Sequence, residues 1–206
     1  MNRFFRPLLL AVLLIVLAAA GPSADAARTD LSPSRLTGRL LVASPSIGDP
    51  MFRHTVILIL SHGSGGAVGI IINRPLTEHP LSWVLKAIGA PDADARGSVR
   101  LFLGGPVETQ VGFILHSADY HRPETQPVTD RLALTSSAQI LRDIGEGKGP
   151  KKVLVAFGYA GWTAGQLDTE MRRGDWATAE ADPWLVFDAS RDRVWDLAWA
   201  RQTIDL

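Results

Sequence analysis

Cysteine is absent from all 206 residues. That absence excludes disulfides, thiol nucleophiles, redox exchange, thiolate metal sites and a lipid anchor on Cys. The apolar core must therefore hold the fold in any redox compartment. Also lacking is an excess of either charge. Removing Arg3, Arg6 and Asp25 from the 21 basic and 21 acidic residues leaves 19 against 20. Nucleic-acid binders ordinarily carry a basic excess or stripe, so this balance argues against a polyanion track. The densest basic spots, Lys148 to Lys152 and Arg172-Arg173, sit beside Gly or acidic residues and read as solvated helix ends. There are no internal repeats and no low-complexity tract.

Only one long apolar run occurs, Leu8 to Ala20, preceded by Arg3 and Arg6 and followed by Gly21-Pro22 and Ala24-Asp25-Ala26. These are the three parts of a secretory signal. At 13 residues the run is short for a spanning helix, which needs about 20. The reading is a signal peptide over 1–26 with cleavage before Ala27, hence periplasmic export, and no membrane contact except through an uncleaved leader. A polar arm at 27–37 and a single domain at 38–206 follow. The 180 residues left after cleavage make one domain, burying about 70% of the unfolded surface.

Short strands are expected at Arg39–Ala43, His54–Leu60, Ala67–Ile72, Val99–Leu103, Val111–Leu115, Leu132–Leu134, Lys152–Phe157 and Trp184–Phe187. The two runs flanking Ser61-His62-Gly63-Ser64-Gly65-Gly66 form a hairpin, and their continuous apolar character predicts burial on both faces. Helices are expected at Leu81–Ile88, from Ser136 or Ser137 to Ile144, from a Thr163-x-x-Gln166 capping box to Arg173, and at Arg191–Arg201. Hairpins mixed with strand–helix–strand crossings predict an α/β (α+β) fold, a mixed sheet flanked by helices.

Several segments, in order, carry a resemblance. They are Leu40-Leu41-Val42-Ala43-Ser44-Pro45, Asp49-Pro50-Met51-Phe52-Arg53, His62 with Gly66-Ala67-Val68-Gly69-Ile70, and Asn73-Arg74-Pro75. Gly104-Gly105-Pro106-Val107, Gly112-Phe113-Ile114-Leu115-His116, Gly158-Tyr159-Ala160-Gly161-Trp162, Gly165-Gln166-Leu167, Glu170, Trp176 and Phe187-Asp188 continue it. The chain resembles the AlgH family, also called YqgE-like. The resemblance implies a bifurcated, partly closed mixed sheet (a pseudo-barrel) with helices outside, but no catalytic residue set. Most members are cytoplasmic, which makes that location the alternative to export. Here a leader is present, and Arg201 to Asp205 lacks the Gly the family pattern places before Ile.

The residues that carry polar chemistry each admit two readings. His62 opens the Gly-rich loop, to cap the turn or face a ligand. Ser61 and His62, adjacent on a strand, point to opposite faces and cannot act on each other. Gly63 to Gly66 lacks the Lys and the following helix of a phosphate loop. Asn73 and Arg74, fixed by Pro75, stand where α/β ligand sites form. Arg74 either meets an anion or pairs with a buried acid such as Glu108 or Glu170. Gly104 and Gly105 permit close approach of backbone or ligand. Glu108 is a lone carboxylate with no evident partner.

His116, with Asp119 and His121, offers zinc-type ligands, but the spacing fits neither a helix nor strand alternation, so no metal is assigned. Gly158 to Gln166 lacks the Ser or Cys of a nucleophile elbow. Trp162 there serves as core wedge or binding platform, while Gln166 and Glu170 share a helix face. No cofactor motif occurs. The expected function is a non-enzymatic binding or regulatory interaction protein with a protein or small-molecule partner. Two rivals stand beside it. One is a small hydrolase with a pocket of Asn73, Arg74, Glu108, Trp162 and Gln166; the other is the transcriptional regulator that the family's name suggests, opposed by the neutral charge.

Overall fold

The computed structural model describes residues 36–203. The leader at 1–26 and all of the arm except Leu36 and Thr37 lie outside the described residues, as do Ile204 to Leu206.

Among the described residues ten strands form one sheet: β1 (Arg39–Ala43), β2 (Val56–Gly63), β3 (Gly66–Ile71), β4 (Pro75–Pro80), β5 (Ser98–Leu103), β6 (Val107–Ser117), β7 (Gln126–Pro127), β8 (Leu132–Thr135), β9 (Val153–Trp162) and β10 (Trp176–Glu180). The helices are α1 (Leu81–Ala87), α2 (Gln139–Gly145), α3 (Gln166–Arg173) and α4 (Val194–Trp199), with a π-helical turn at Trp184–Asp188. The strand order is β10-β1-β2-β3-β9-β6-β8-β7. β5 joins β9 in parallel, and β4 lies antiparallel on β5. All other pairs are antiparallel.

The fork lies along β9. One of its edges takes β5 over Val155–Phe157 and then β3 over Ala160–Trp162. The other edge carries β6. Gly158, at φ +74°, separates the two stretches. It acts as a bulge, shifting the side-chain alternation by one residue. Leu154 and Ala156 join one apolar cluster, whereas Ala160 and Trp162 join the cluster on the opposite face. Toward the ends of the strand order the sheet curls back. Arg131, just before β8, pairs with Glu180 of β10 at 2.8 Å, and Gly38 packs against Val128 and Thr129. This curled, partly closed sheet with flanking helices is the architecture expected above.

The doubly buried strands follow from their continuous apolar runs. Leu40, Val42, Val56, Leu58, Ile70 and Ile72 face one cluster, closed by Leu185, Val186, Val194 and Ala198. Leu41, Ala43, Ile57, Ile59 and Ile71 face the other side, under Leu167 of α3. Each fully buried Leu or Ile contributes about 2 kcal/mol relative to exposure. A third cluster packs Leu81, Val84 and Leu85 of α1 with Ile140 and Leu141 of α2.

Four readings need correction. Trp184 to Phe187 is a π-helical turn rather than a strand, and the last strand is β10, whose Trp176 to Glu180 pair with all five residues of β1. β4 was missed because PLTEHP is polar and Pro-bounded, marks of a protected edge strand. The Gly-rich loop is shorter than expected, since β2 runs to Gly63 and only Ser64-Gly65 turn. β9 likewise runs through Gly158 to Trp162, so that motif is largely strand.

Candidate functional site

Three of the sequence motifs meet at the fork. Gly104 donates its backbone N–H to Phe157 O at 2.7 Å, and its carbonyl accepts Ile71 N–H at 2.8 Å. Leu103 N–H reaches Arg74 O at 2.9 Å. A Cβ on Gly104 or Gly105 would overlap the backbone of Gly158 or Tyr159, so these glycines exist for backbone crossing and leave no room for a ligand. Glu108, at φ +46°, lies close enough to Tyr159 to act on it. Burial first, and that carboxylate second, raise the pKa of the Tyr159 phenol.

Trp162, Gln166 and Glu170 gather at the other end of β3. Trp162 pairs with Ala67, whereas Asn73 lies six residues further, about 20 Å along an extended chain. Glu170 Oε2 accepts the indole N–H of Trp162 at 2.8 Å and of Trp176 at 2.9 Å. Gln166 Nε2 donates to Glu170 Oε1 at 3.0 Å, and Gln166 Oε1 accepts Thr163 N–H at 3.0 Å, one half of the expected capping box. Glu170 thus ties β9, α3 and β10 together and does not pair with Arg74.

The remaining histidines differ. His116 is fully buried, with Nδ1 2.9 Å from Ser117 O and Nε2 2.9 Å from Thr135 Oγ1. Burial lowers its pKa, against raising contributions from Ser117 O and Asp119. Nδ1–H must be the donor to the carbonyl, leaving Nε2 to accept from Thr135. Both nitrogens are consumed, and neither is offered to a metal. The side chain of His62 is 6% exposed, with Nε2 3.6 Å from Asp168 Oδ1. Its Nδ1 is buried without a hydrogen-bond partner among the described residues.

Asn73 and Arg74 line an open cleft of about 420 Å³ together with Arg53, His54, Arg191 and Trp195. Asn73 holds it in place: Oδ1 accepts Val56 N–H and Nδ2 donates to His54 O, both at 2.9 Å. His54 adopts φ +55°, a region few non-glycine residues occupy, and its ring meets the edge of Trp195 at 4.5 Å. Trp195 stacks on Trp199 and donates its N–H to Ala43 O at 2.8 Å. Arg74 Nη2 donates to Arg53 O at 3.1 Å. The expected ion pair with Glu108 or Glu170 does not form.

Beneath lies Arg191. Its N–H groups go to carbonyls: Nε to Ala189, Nη1 to Val186 and Ile72, Nη2 to Leu185 and Ala189. Burial, chiefly, lowers its pKa, with Asp188 opposing and Arg100 adding to the effect. No carboxylate among the described residues lies within 4.0 Å of Arg53, Arg74 or Arg191. Two carboxylates do line the rim. Asp192 accepts Ser190 Oγ at 2.5 Å, which holds its carboxyl below the usual range, and Asp196 is 3.9 Å from Arg193. The sequence singled out Asn73 and Arg74. Arg53 stood only within the resemblance motif, and nothing near Arg191 in sequence signals that it folds back to the end of β3.

The AlgH-like family model matches residues 40–206. UPF0301 proteins of Jannaschia sp. and Rhodospirillum rubrum are each 44% identical, over 165 and 170 residues. The alignments cover 79% and 82% of this chain, and 86% and 88% of theirs. The solution structure of the AlgH protein from Pseudomonas aeruginosa superimposes with TM-score 0.69 at 36% identity, covering 84% of this chain and 92% of that one. A crystal structure of a Corynebacterium diphtheriae protein shares the fold at TM-score 0.66 and 23% identity, covering 84% and 90%. With the sheet from Leu40 of β1 through β10 inside the matched span, the chain belongs to the AlgH-like family.

Proposed function

We propose that this is an exported, non-enzymatic binding protein that recognises a negatively charged group of its partner at the Arg53–Arg74–Arg191 cleft. One observation carries the reading: three guanidinium groups line one cleft, and none has a carboxylate within 4.0 Å among the described residues. Arg191 is partly buried and spends its N–H groups on carbonyl oxygens, with no carboxylate within 4.0 Å among the described residues, so an anion in the cleft supplies the counter-charge. The Asn73 amide, bonded on both sides, supports the cleft from behind, as a preorganised site requires. Export rests on the positive, apolar and small-residue pattern of residues 3–26.

The test is an NMR titration of the full chain with anionic and neutral small molecules, followed at the Trp195 indole and the His54 ring. Anions shift both signals and neutral compounds leave them in place. Equal response to both classes, or none, overturns the reading. Catalytic turnover of an added ester overturns its non-enzymatic part. Intact mass from fractionated cells tests export: a mature chain beginning near Ala27 is expected in the periplasm, and a full-length cytoplasmic chain overturns it.

A further inference from the structure

Resting on the anion-binding reading of the cleft, we infer that anion binding there is coupled to proton uptake by His54, so that the site holds its anion more tightly as pH falls through the imidazole range. His54 is an exposed lining residue of the cleft, and its ring packs against Trp195. No hydrogen bond or ion pair engages either ring nitrogen among the described residues, so the imidazole takes a proton from solvent without losing a bond. The backbone keeps it at the cleft. His54 O accepts Asn73 Nδ2 at 2.9 Å, and Thr55 N–H closes onto Phe52 O at 3.1 Å around it. These bonds hold φ at +55°, a strained conformation of the kind that clusters at binding sites.

The charges that face His54 come from three segments. Arg53 is its chain neighbour, and Arg74 follows β3. Arg191 and Asp192 precede α4, and Asp196 lies on it. Asn73 and Trp195 complete the lining without charge. Arginine and carboxylate side chains ordinarily titrate outside the interval of about pH 5 to 8, whereas an imidazole titrates inside it. An anion seated among these residues favours the charged form of an imidazole beside it. The cleft volume of about 420 Å³ corresponds to a space roughly 8 Å across, about one Debye length at physiological salt. The coupling therefore holds wherever in the cleft the anion sits. By linkage, the proton raises the anion's affinity by the factor with which the anion favours the proton.

The probe is sulfate, whose charge is constant over this interval. The full chain is titrated with sodium sulfate at about pH 8 and about pH 5.5, with ionic strength held by sodium chloride, and NMR follows the Trp195 indole and the His54 ring. Sulfate is expected to bind about fivefold or more tightly at the lower pH. Saturating sulfate is expected to raise the midpoint of the His54 ring titration. His54→Asn, chosen because Asn tolerates a positive φ, should abolish the difference between the two affinities. His79→Asn, on β4 outside the cleft, should keep it. Equal sulfate affinity at both pH values, or a His54 midpoint that sulfate leaves in place, overturns the proton coupling and leaves the anion cleft standing. A pH dependence that survives in His54→Asn overturns it as well. No response to sulfate at either pH overturns both readings.

Discussion

Gly158 crosses Gly105 so closely that a Cβ on Gly158 would land on the carbonyl oxygen of Gly105. That crossing creates the fork, because β5 leaves β9 before it and β3 joins after it.

Gly158→Ala therefore meets two penalties, an occupied space and φ +74°. The expected loss is about 3 kcal/mol or more. Gly89→Ala is the comparison, since φ there is +75° but nothing lies within 4 Å. It should lose only about 1–2 kcal/mol. Urea unfolding of both variants measures the difference, and equal losses would remove the steric argument.

Glu170→Ala strips one acceptor from Trp162 and Trp176 together. Two indole N–H groups of buried tryptophans lose their partner, and about 2–3 kcal/mol of stability should go with them. Glu170→Gln keeps one carbonyl oxygen and should lose less. The emission of the buried tryptophans reports the same event, shifting red in the Ala variant only.

Sequence periodicity revealed what burial alone dictates. β1, β2 and β3 are legible because Val and Ile runs can only be buried on both faces, and α1 because 81, 84, 85 and 88 share a helix face. Trp184-Leu185-Val186-Phe187 misled because a short apolar run fits a strand and a buried turn equally. WATAE concealed β10, since Ala and Thr gain their strand character from pairing with β1. At the site, Asn73 and Arg74 stood out through their place beside Pro75. Arg191 could not, because its partners Ile72 and Val186 are set by tertiary packing.

His116 predicts a stability loss in mild acid. Burial places its folded pKa below the usual imidazole value of 6.5. The unfolded chain then binds the proton first, so stability is full above pH 6.5 and declines as pH falls below it. The slope is at most about 1.4 kcal/mol per pH unit for one such group. Urea unfolding between pH 7.5 and 5 reads the slope, and His116→Gln should flatten it. A wild-type profile unchanged by that substitution would show that His116 is not the group responsible.

Asp143 predicts a second, more acidic transition through a different cluster. Burial pushes its carboxyl pKa up, but hydrogen bonds from Tyr120, Gln139 and Arg122, together with the Arg122 charge, more than offset this and hold it below 3.8. Tyr120 Oη donates at 2.6 Å, Gln139 Nε2 at 2.9 Å and Arg122 Nε at 3.0 Å. A group with a depressed folded pKa stabilises above its unfolded value, and that contribution fades as pH falls through the folded one. Asp143→Asn removes the charge and leaves one accepting oxygen where two served Tyr120, Arg122 and Gln139, so an amide N–H faces at least one of these donors. At pH 7 it should cost about 2–3 kcal/mol, since donors are left without an acceptor. As pH falls below 3.8 the unfolded wild-type chain takes up the proton first, so the gap between the two chains should narrow. Both chains keep His116, whose titration cancels in the difference. A gap constant from pH 7 to 3 would mean that the Asp143 charge contributes nothing and that only its shape matters to the packing of α2.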